Sequence, residues 1–314
     1  MKHVRPDVLV AAPLPPVTMA ALDAVFTVHR LWQGVADDVL GKVRAMAAST
    51  LAGPVGAALF TQMPALEIIA NFGVGYDNID IAAAAARGLM VTNTAGVLDE
   101  EVADLTLGLL LATLRRIPAA DRFVRDGHWP HGAFPLSPSL RGRRVGIVGL
   151  GGIGKAIARR LTGFAVEIAW YGRHPQPDVV WTRYPSAVAL AQACDVLIVI
   201  VPGGAATHHL IDSRVLAALG PDGVLINVSR GTVVDEAALI AALRDGTILA
   251  AGLDVFEHEP QVPGALLACD NVVLLPHIGS ASAVTRQAMG QLMVDNLTAW
   301  FATGRALTPV AETR

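Results

Sequence analysis

Short β-branched and aliphatic runs alternate with longer Ala/Leu-rich stretches of helical period along most of the chain. That alternation predicts βαβ units and parallel sheets, an α/β fold. In the first third, DVLVA, VGAALF, LEIIANF and LMVTNT read as strands, and residues 36–48 and 79–87 as helices. Residues 100–116 read as one long helix, with Val102, Leu105, Leu109 and Ala112 at helical spacing. The Pro- and Gly-rich GHWPHGAFPLSPSLRG that follows predicts an irregular segment. A second series then runs through RVGIVGLG, EIAWYG, VVWTRY, VLIVIVP, GVLINVS, AAGLDV and NVVLLP, and the chain closes on a helix near 283–302. Strands are densest over 100–283. The simplest division makes that stretch one domain and the two ends, 1–99 and 284–314, a second and discontinuous one.

The turn after RVGIV carries Gly149-Leu150-Gly151-Gly152-Ile153-Gly154, a G-x-G-x-x-G between a strand and a helix. In that setting the first glycine permits the tight turn, and the second lets backbone approach a pyrophosphate. The third lets the helix pack on the sheet, and the helix N-terminus favours the anion. Such a site expects Asp or Glu at the tip of the next strand, on the ribose 2′-hydroxyl. EIAWYGRHPQP has Gly172 there, followed by Arg173 and His174. Removing the carboxylate removes a repulsive charge, and a guanidinium suits a 2′-phosphate. NADP(H) is therefore the expected cofactor and NAD(H) the second choice, with Arg183 a further positive group for the pocket.

Composition narrows the setting. Of 314 residues 53% are hydrophobic and 16% charged, enough apolar material for two cores. The net charge of −3 gives no general attraction to nucleic acid or to an anionic membrane, so an anion must be held locally. No apolar run reaches the length of a bilayer span, and MKHVRPDVLVAAPLPP holds no apolar stretch of signal length before its prolines. Cys194 and Cys269 stand alone in apolar surroundings, without metal-ligand spacing. The expectation is a soluble, cytoplasmic protein with no metal.

Three segments place chemistry-bearing residues at predicted strand ends: INVSRG with Arg230, GLDVFEHEP with Asp254, Glu257 and Glu259, and LLPHIGS with His277. The C-terminal ends of a parallel sheet are where such sheets bind ligands. Together with NFGVGYDNID, TNTAGVLDEEVADLTLGLLLA and the glycine turn, these motifs make the chain resemble the D-isomer-specific 2-hydroxyacid dehydrogenases, within them the glyoxylate/hydroxypyruvate reductase branch, over nearly its whole length.

The resemblance implies two Rossmann-like or flavodoxin-like domains, the coenzyme domain inserted into the substrate domain, and a homodimer formed through the coenzyme domain. It implies an Arg–Glu–His set at Arg230, Glu259 and His277. A cation holds the carboxylate of a 2-keto acid and polarises its ketone. An imidazolium protonates the alkoxide that hydride addition leaves, and a carboxylate orients the ring and favours its charged form. Val74 and Gly75 would bind the substrate carboxylate through backbone N–H groups. Cofactor contacts are implied at Val201, Pro202, Thr207, Val228, Ser229, Arg230, Asp254, His277 and Gly279. Leu51 is a candidate for the pocket lining. Trp129 and Phe134 lie in a loop from which an aromatic, with Phe134 the candidate, would reach the partner's active site. The formate dehydrogenases have Gln where this chain has Glu259, which argues against formate. Reduction of bulkier acids, hydroxyphenylpyruvate or 2-ketogluconate, stays open, as does a nucleotide-sensing co-repressor that shares the fold.

Overall fold

The computed structural model describes residues 5–313; residues 1–4, which open the N-terminal stretch read above, and residue 314 lie outside it. Two compact units are present. One draws its described residues from Met1–Leu98 and Ala281–Arg314, the other is Asp99–Ser280. Among the described residues no helix is long and apolar enough to cross a membrane.

The first unit holds β1 (Asp7–Val10), β2 (Thr27–Arg30), β3 (Ala45–Ser49), β4 (Ile68–Phe72) and β5 (Met90–Thr92), all parallel, in the order β2-β1-β3-β4-β5. The central β3 and β4 are buried along their whole length, as expected where helices cover both faces. The Ala283–Thr303 helix starts at Ser282, whose hydroxyl accepts the Thr285 N–H, and ends at Gly304 with φ 70°. It packs closely on the Pro16–Val25 helix: a Cβ on Gly290 would lie 2.0 Å from Thr18 Oγ1.

The second unit holds β6 (Arg144–Val148), β7 (Glu167–Tyr171), β8 (Thr182–Arg183), β9 (Val196–Val199), β10 (Val224–Asn227), β11 (Ala250–Leu253) and β12 (Val272–Leu274). Their order is β12-β11-β10-β9-β6-β7-β8, again all parallel. Alternate residues of each central strand enter different cores. Leu197, Val199 and Leu225 pack on one face, and Val196, Ile198, Val224 and Ile226 on the other, as the period of two demands. The Asp99–Leu114 and Gly152–Thr162 helices cover the second face. Gly252 lets the first of them come close, since a Cβ there would lie 2.5 Å from Thr113 Oγ1. On the other face Cys194 Sγ presses on Gly146, and burial pushes its thiol up to about 12.

The α/β class and the parallel sheets agree with the sequence reading; several elements do not. VGAALF is not a strand: Val55 makes only an isolated bridge to Ile79, and Ala57–Thr61 is helical. Residues 36–48 are not one helix. The helix stops at Leu40, and AMAAS becomes β3, because a slot between β1 and β4 buries it on both faces and overrides the helix preference of Ala and Met. VVWTRY contributes only the short edge strand β8. β2 and the Ile117–Arg125 helix were not anticipated.

Candidate active site

At the end of β6 the chain turns through Gly149, with φ 102°, into the Gly152–Thr162 helix. A Cβ on Gly149 would lie 2.2 Å from Ile200 O, and one on Gly154 2.2 Å from Gly149 O, so strand and helix meet only through glycines. Gly152 is likewise filled, by Asp99 Oδ2 at 2.1 Å from the place of a Cβ. At Gly151 nothing lies within 4 Å of that place, and no side chain caps the helix it starts. An open backbone approach beside an uncapped helix N-terminus fits a dinucleotide pyrophosphate. Leu150 is buried and its carbonyl accepts from Gln176 Nε2 at 2.8 Å, which ties this turn to the loop after β7.

That loop starts at Gly172, where a Cβ would lie 3.0 Å from the Trp170 ring. Arg173 and His174 are exposed. Arg183, one strand over, lies above Trp170 and donates from Nη2 to the Gly172 carbonyl at 2.9 Å and the Arg173 carbonyl at 3.4 Å. Three basic side chains therefore surround a tip without a carboxylate, and Arg183 also fixes the tip backbone. After β9, Thr207 Oγ1 donates to the Pro202 carbonyl at 2.6 Å and closes the loop that follows the half-buried Val201.

Arg230 leaves the end of β10 after Val228 and Ser229. The Asn227 side chain accepts from the Ser229 N–H and hydroxyl and donates to the Arg230 carbonyl at 3.0 Å, so one amide shapes the turn. Arg230 Nη1 donates to Ser229 O at 2.8 Å. The next residue, Gly231, sits against the loop after β11: a Cβ there would lie 1.8 Å from the Phe256 carbonyl carbon.

The exits of β11 and β12 are locked to each other. Asp254 is buried, its carbonyl accepts the His277 N–H, and its two carboxylate oxygens accept the N–H groups of Ile278 at 2.7 Å and Gly279 at 2.8 Å. Burial pushes this carboxyl up, and the two N–H donors offset part of that. The resemblance implies a cofactor contact at Asp254; in the structure both of its carboxylate oxygens hold the 277–279 turn. His277 itself adopts φ 53°, and its Nδ1 lies 2.7 Å from Glu259 Oε2. The other oxygen, Oε1, accepts the Phe256 N–H at 3.1 Å. Burial acts to raise the Glu259 carboxyl, yet the His277 bond and charge, the Phe256 N–H and the Arg230 charge together hold it below its ordinary value. Arg230, Glu259 and His277 are thus electrostatically connected, with both imidazole and carboxylate partly exposed.

In the first unit, the loop after β4 carries Val74 and Gly75. Asn71 Nδ2 donates to the carbonyls of Gly73 and Gly75 at 3.0 and 2.9 Å, and Asn93 Nδ2 to that of Val74 at 3.0 Å. Neither the Val74 nor the Gly75 N–H has a protein acceptor among the described residues. Carbonyls turned to amides and N–H groups left open suit an anion. Leu51, on a single 3-10 turn, is 78% exposed. In the second unit Phe134 packs edge-on to Phe123 at 5.4 Å, with Arg116 over its ring at the same distance. Asn71, Asn93, Asn227, Gln176 and Gly231 escaped the sequence reading. The usable signal was there for Asn71 and Asn227, polar residues at the ends of otherwise apolar strands.

Residues 107–279 match the family described as D-isomer specific 2-hydroxyacid dehydrogenase, NAD binding domain. Glyoxylate/hydroxypyruvate reductase A of Arabidopsis thaliana is 45% identical over 308 residues, 96% of this chain and 98% of that protein. Hydroxyphenylpyruvate reductase of Plectranthus scutellarioides is 44% identical with the same coverage. Among solved structures, NADPH-dependent glyoxylate/hydroxypyruvate reductase from Sinorhizobium meliloti, in complex with NADP and malonate, is 55% identical, covers 98% of each chain and has a TM-score of 0.94.

Proposed function

The chain belongs to the D-isomer-specific 2-hydroxyacid dehydrogenases, in their glyoxylate/hydroxypyruvate reductase branch, and on that premise we propose that it reduces a small 2-keto acid, glyoxylate or hydroxypyruvate, to the D-2-hydroxy acid with NADPH in preference to NADH. The observation that carries the chemistry is the 2.7 Å contact between His277 Nδ1 and Glu259 Oε2 at the end of a parallel sheet. With Nδ1 turned to the carboxylate, Nε2 is the nitrogen left to hand a proton to the substrate oxygen. Glu259, its carboxyl held below its ordinary value, keeps the ring oriented through this contact. Arg230 holds the keto acid and draws charge onto its carbonyl oxygen. Val74 and Gly75 are the proposed N–H donors to the substrate carboxylate. The bound dinucleotide supplies the hydride; Gly149–Gly154 with the helix N-terminus, and the Arg173 tip, are the groups that hold it.

NADPH and NADH oxidation followed over glyoxylate, hydroxypyruvate, hydroxyphenylpyruvate and 2-ketogluconate tests this directly. A tenfold or greater preference for NADH overturns the cofactor assignment. A larger kcat/KM for hydroxyphenylpyruvate than for both small acids would replace the substrate assignment with the bulkier one, which the 44% identical relative keeps in view.

Arg173→Ala is expected to raise the KM for NADPH about 10- to 100-fold, the effect of losing a charged hydrogen bond to a phosphate, and to leave that for NADH nearly unchanged. Equal effects on both would mean that Arg173 does not read the phosphate. The Ile117–Arg125 helix and the segment after it leave Ile117, Val124, Trp129 and Leu136 exposed, Leu136 completely. A run of apolar side chains of this kind marks an association surface. The proposed partner is a second copy of this chain, bringing Phe134 toward its neighbour. Light scattering should give a dimer mass for the native protein and a monomer mass for Leu136→Asp.

A further inference from the structure

The loop after β9 ends in ATHHLI, and its two successive histidines have no part in the chemistry above. In extended backbone, neighbouring side chains leave on opposite faces. His209 instead has φ 49°, in the left-handed region, with its N–H donating to the Thr232 carbonyl at 2.9 Å. The two rings stack, centroids 3.9 Å apart and planes 23° from parallel. His209 Nε2 lies 3.0 Å from Glu257 Oε1. One donor atom from each of His208, His209 and Glu257 falls within 4.8 Å of the other two, with His208 exposed and the other two half-buried. A strained backbone thus turns two imidazoles to one side, against a carboxylate from the loop after β11, and leaves that side open to water.

We propose that His208, His209 and Glu257 bind a divalent transition-metal cation, with Zn2+ the best match. Two imidazole nitrogens and one carboxylate are a donor set for Zn2+, Ni2+ or Co2+, whereas Mg2+ and Ca2+ take oxygen ligands. Three protein ligands with an open side leave room for water as the fourth. A neighbouring charge favours the cation as well. The Glu257 N–H donates to Glu236 Oε2 at 3.4 Å, which puts a second carboxylate beside the proposed ligand. A cation on Glu257 offsets the repulsion between two neighbouring carboxylates. It also fastens the Pro202–Thr207 loop to the segment that carries Glu259, both within the same unit.

The test uses full-length, tag-free protein cleared of metal with a chelator. Zn2+ is titrated in competition with a chromophoric chelator, and Co2+ is read by its visible absorption. Saturable binding of a single ion is expected, unaffected by excess Mg2+ and accompanied by a higher thermal midpoint. His208→Ala and Glu257→Gln should each weaken binding at least about tenfold and abolish both the Co2+ spectrum and the thermal shift. His208 is exposed, so its variant should melt like the native protein when metal is absent. Failure to find saturable binding overturns the proposal, and so does binding that survives both substitutions unchanged.

Discussion

His277→Ala is expected to lower kcat for keto-acid reduction by about a hundred- to ten-thousandfold, the range for loss of a positioned general acid, while the KM for NADPH stays nearly unchanged. The reason lies in how little else can supply the proton. Asp254, the nearest buried carboxyl in sequence, has both oxygens bonded to the 277–279 turn, and Glu259 bonds to the imidazole itself. A loss of less than about tenfold would remove His277 from the role of acid. Glu259→Gln has a second signature, in stability. The Glu259 carboxyl is held below its ordinary value in the folded chain. Its stabilising contribution is therefore full above the ordinary carboxylate range and is lost as pH falls through the lowered folded value. Thermal melts of native protein and Glu259→Gln should differ most near neutrality and converge as the solution is acidified. A difference that widens on acidification would contradict this pairing.

Gly231→Ala should be the most damaging single methyl group near the site. Its Cβ would stand 1.8 Å from the Phe256 carbonyl carbon and 2.0 Å from the oxygen, and backbone on a buried strand exit cannot swing away as a side chain can. We expect a loss of about 3 kcal/mol in denaturant unfolding, at the upper end for overpacking. Activity should fall further than stability requires, because displaced Phe256 takes its N–H from Glu259 Oε1. Gly264→Ala is the control, with nothing within 4 Å of the new methyl and a change within about 1 kcal/mol expected. Equal midpoints and equal kcat for the two variants would show that the loop after β11 yields freely.

The sheet of the second unit could be read from the chain because β9 is a continuous apolar run and β10 is apolar up to Asn227, both buried along their whole length. β3 could not: AMAAS has the composition of a helix, and only its place between β1 and β4 makes it a strand. The same division holds at the candidate site. The glycine turn is local and was legible residue by residue. The bond from Arg183 to the Gly172 carbonyl and the pair His209–Glu257, 48 positions apart, depend on which strand ends become neighbours. Nothing local in INVSRG marks Gly231, because its constraint comes from a loop that only the folded sheet brings to it.

The thiol buried against Gly146 has a practical use. At mildly alkaline pH a group pushed up to about 12 is almost entirely protonated and shielded, so Cys194 resists alkylation in the folded chain. Cys269 is only half-buried. A maleimide dye should therefore attach selectively at Cys269, just ahead of β12. The unaltered protein thus carries its own labelling position at one end of the strand whose other end leads to His277, where fluorescence can follow ligand binding without an engineered cysteine.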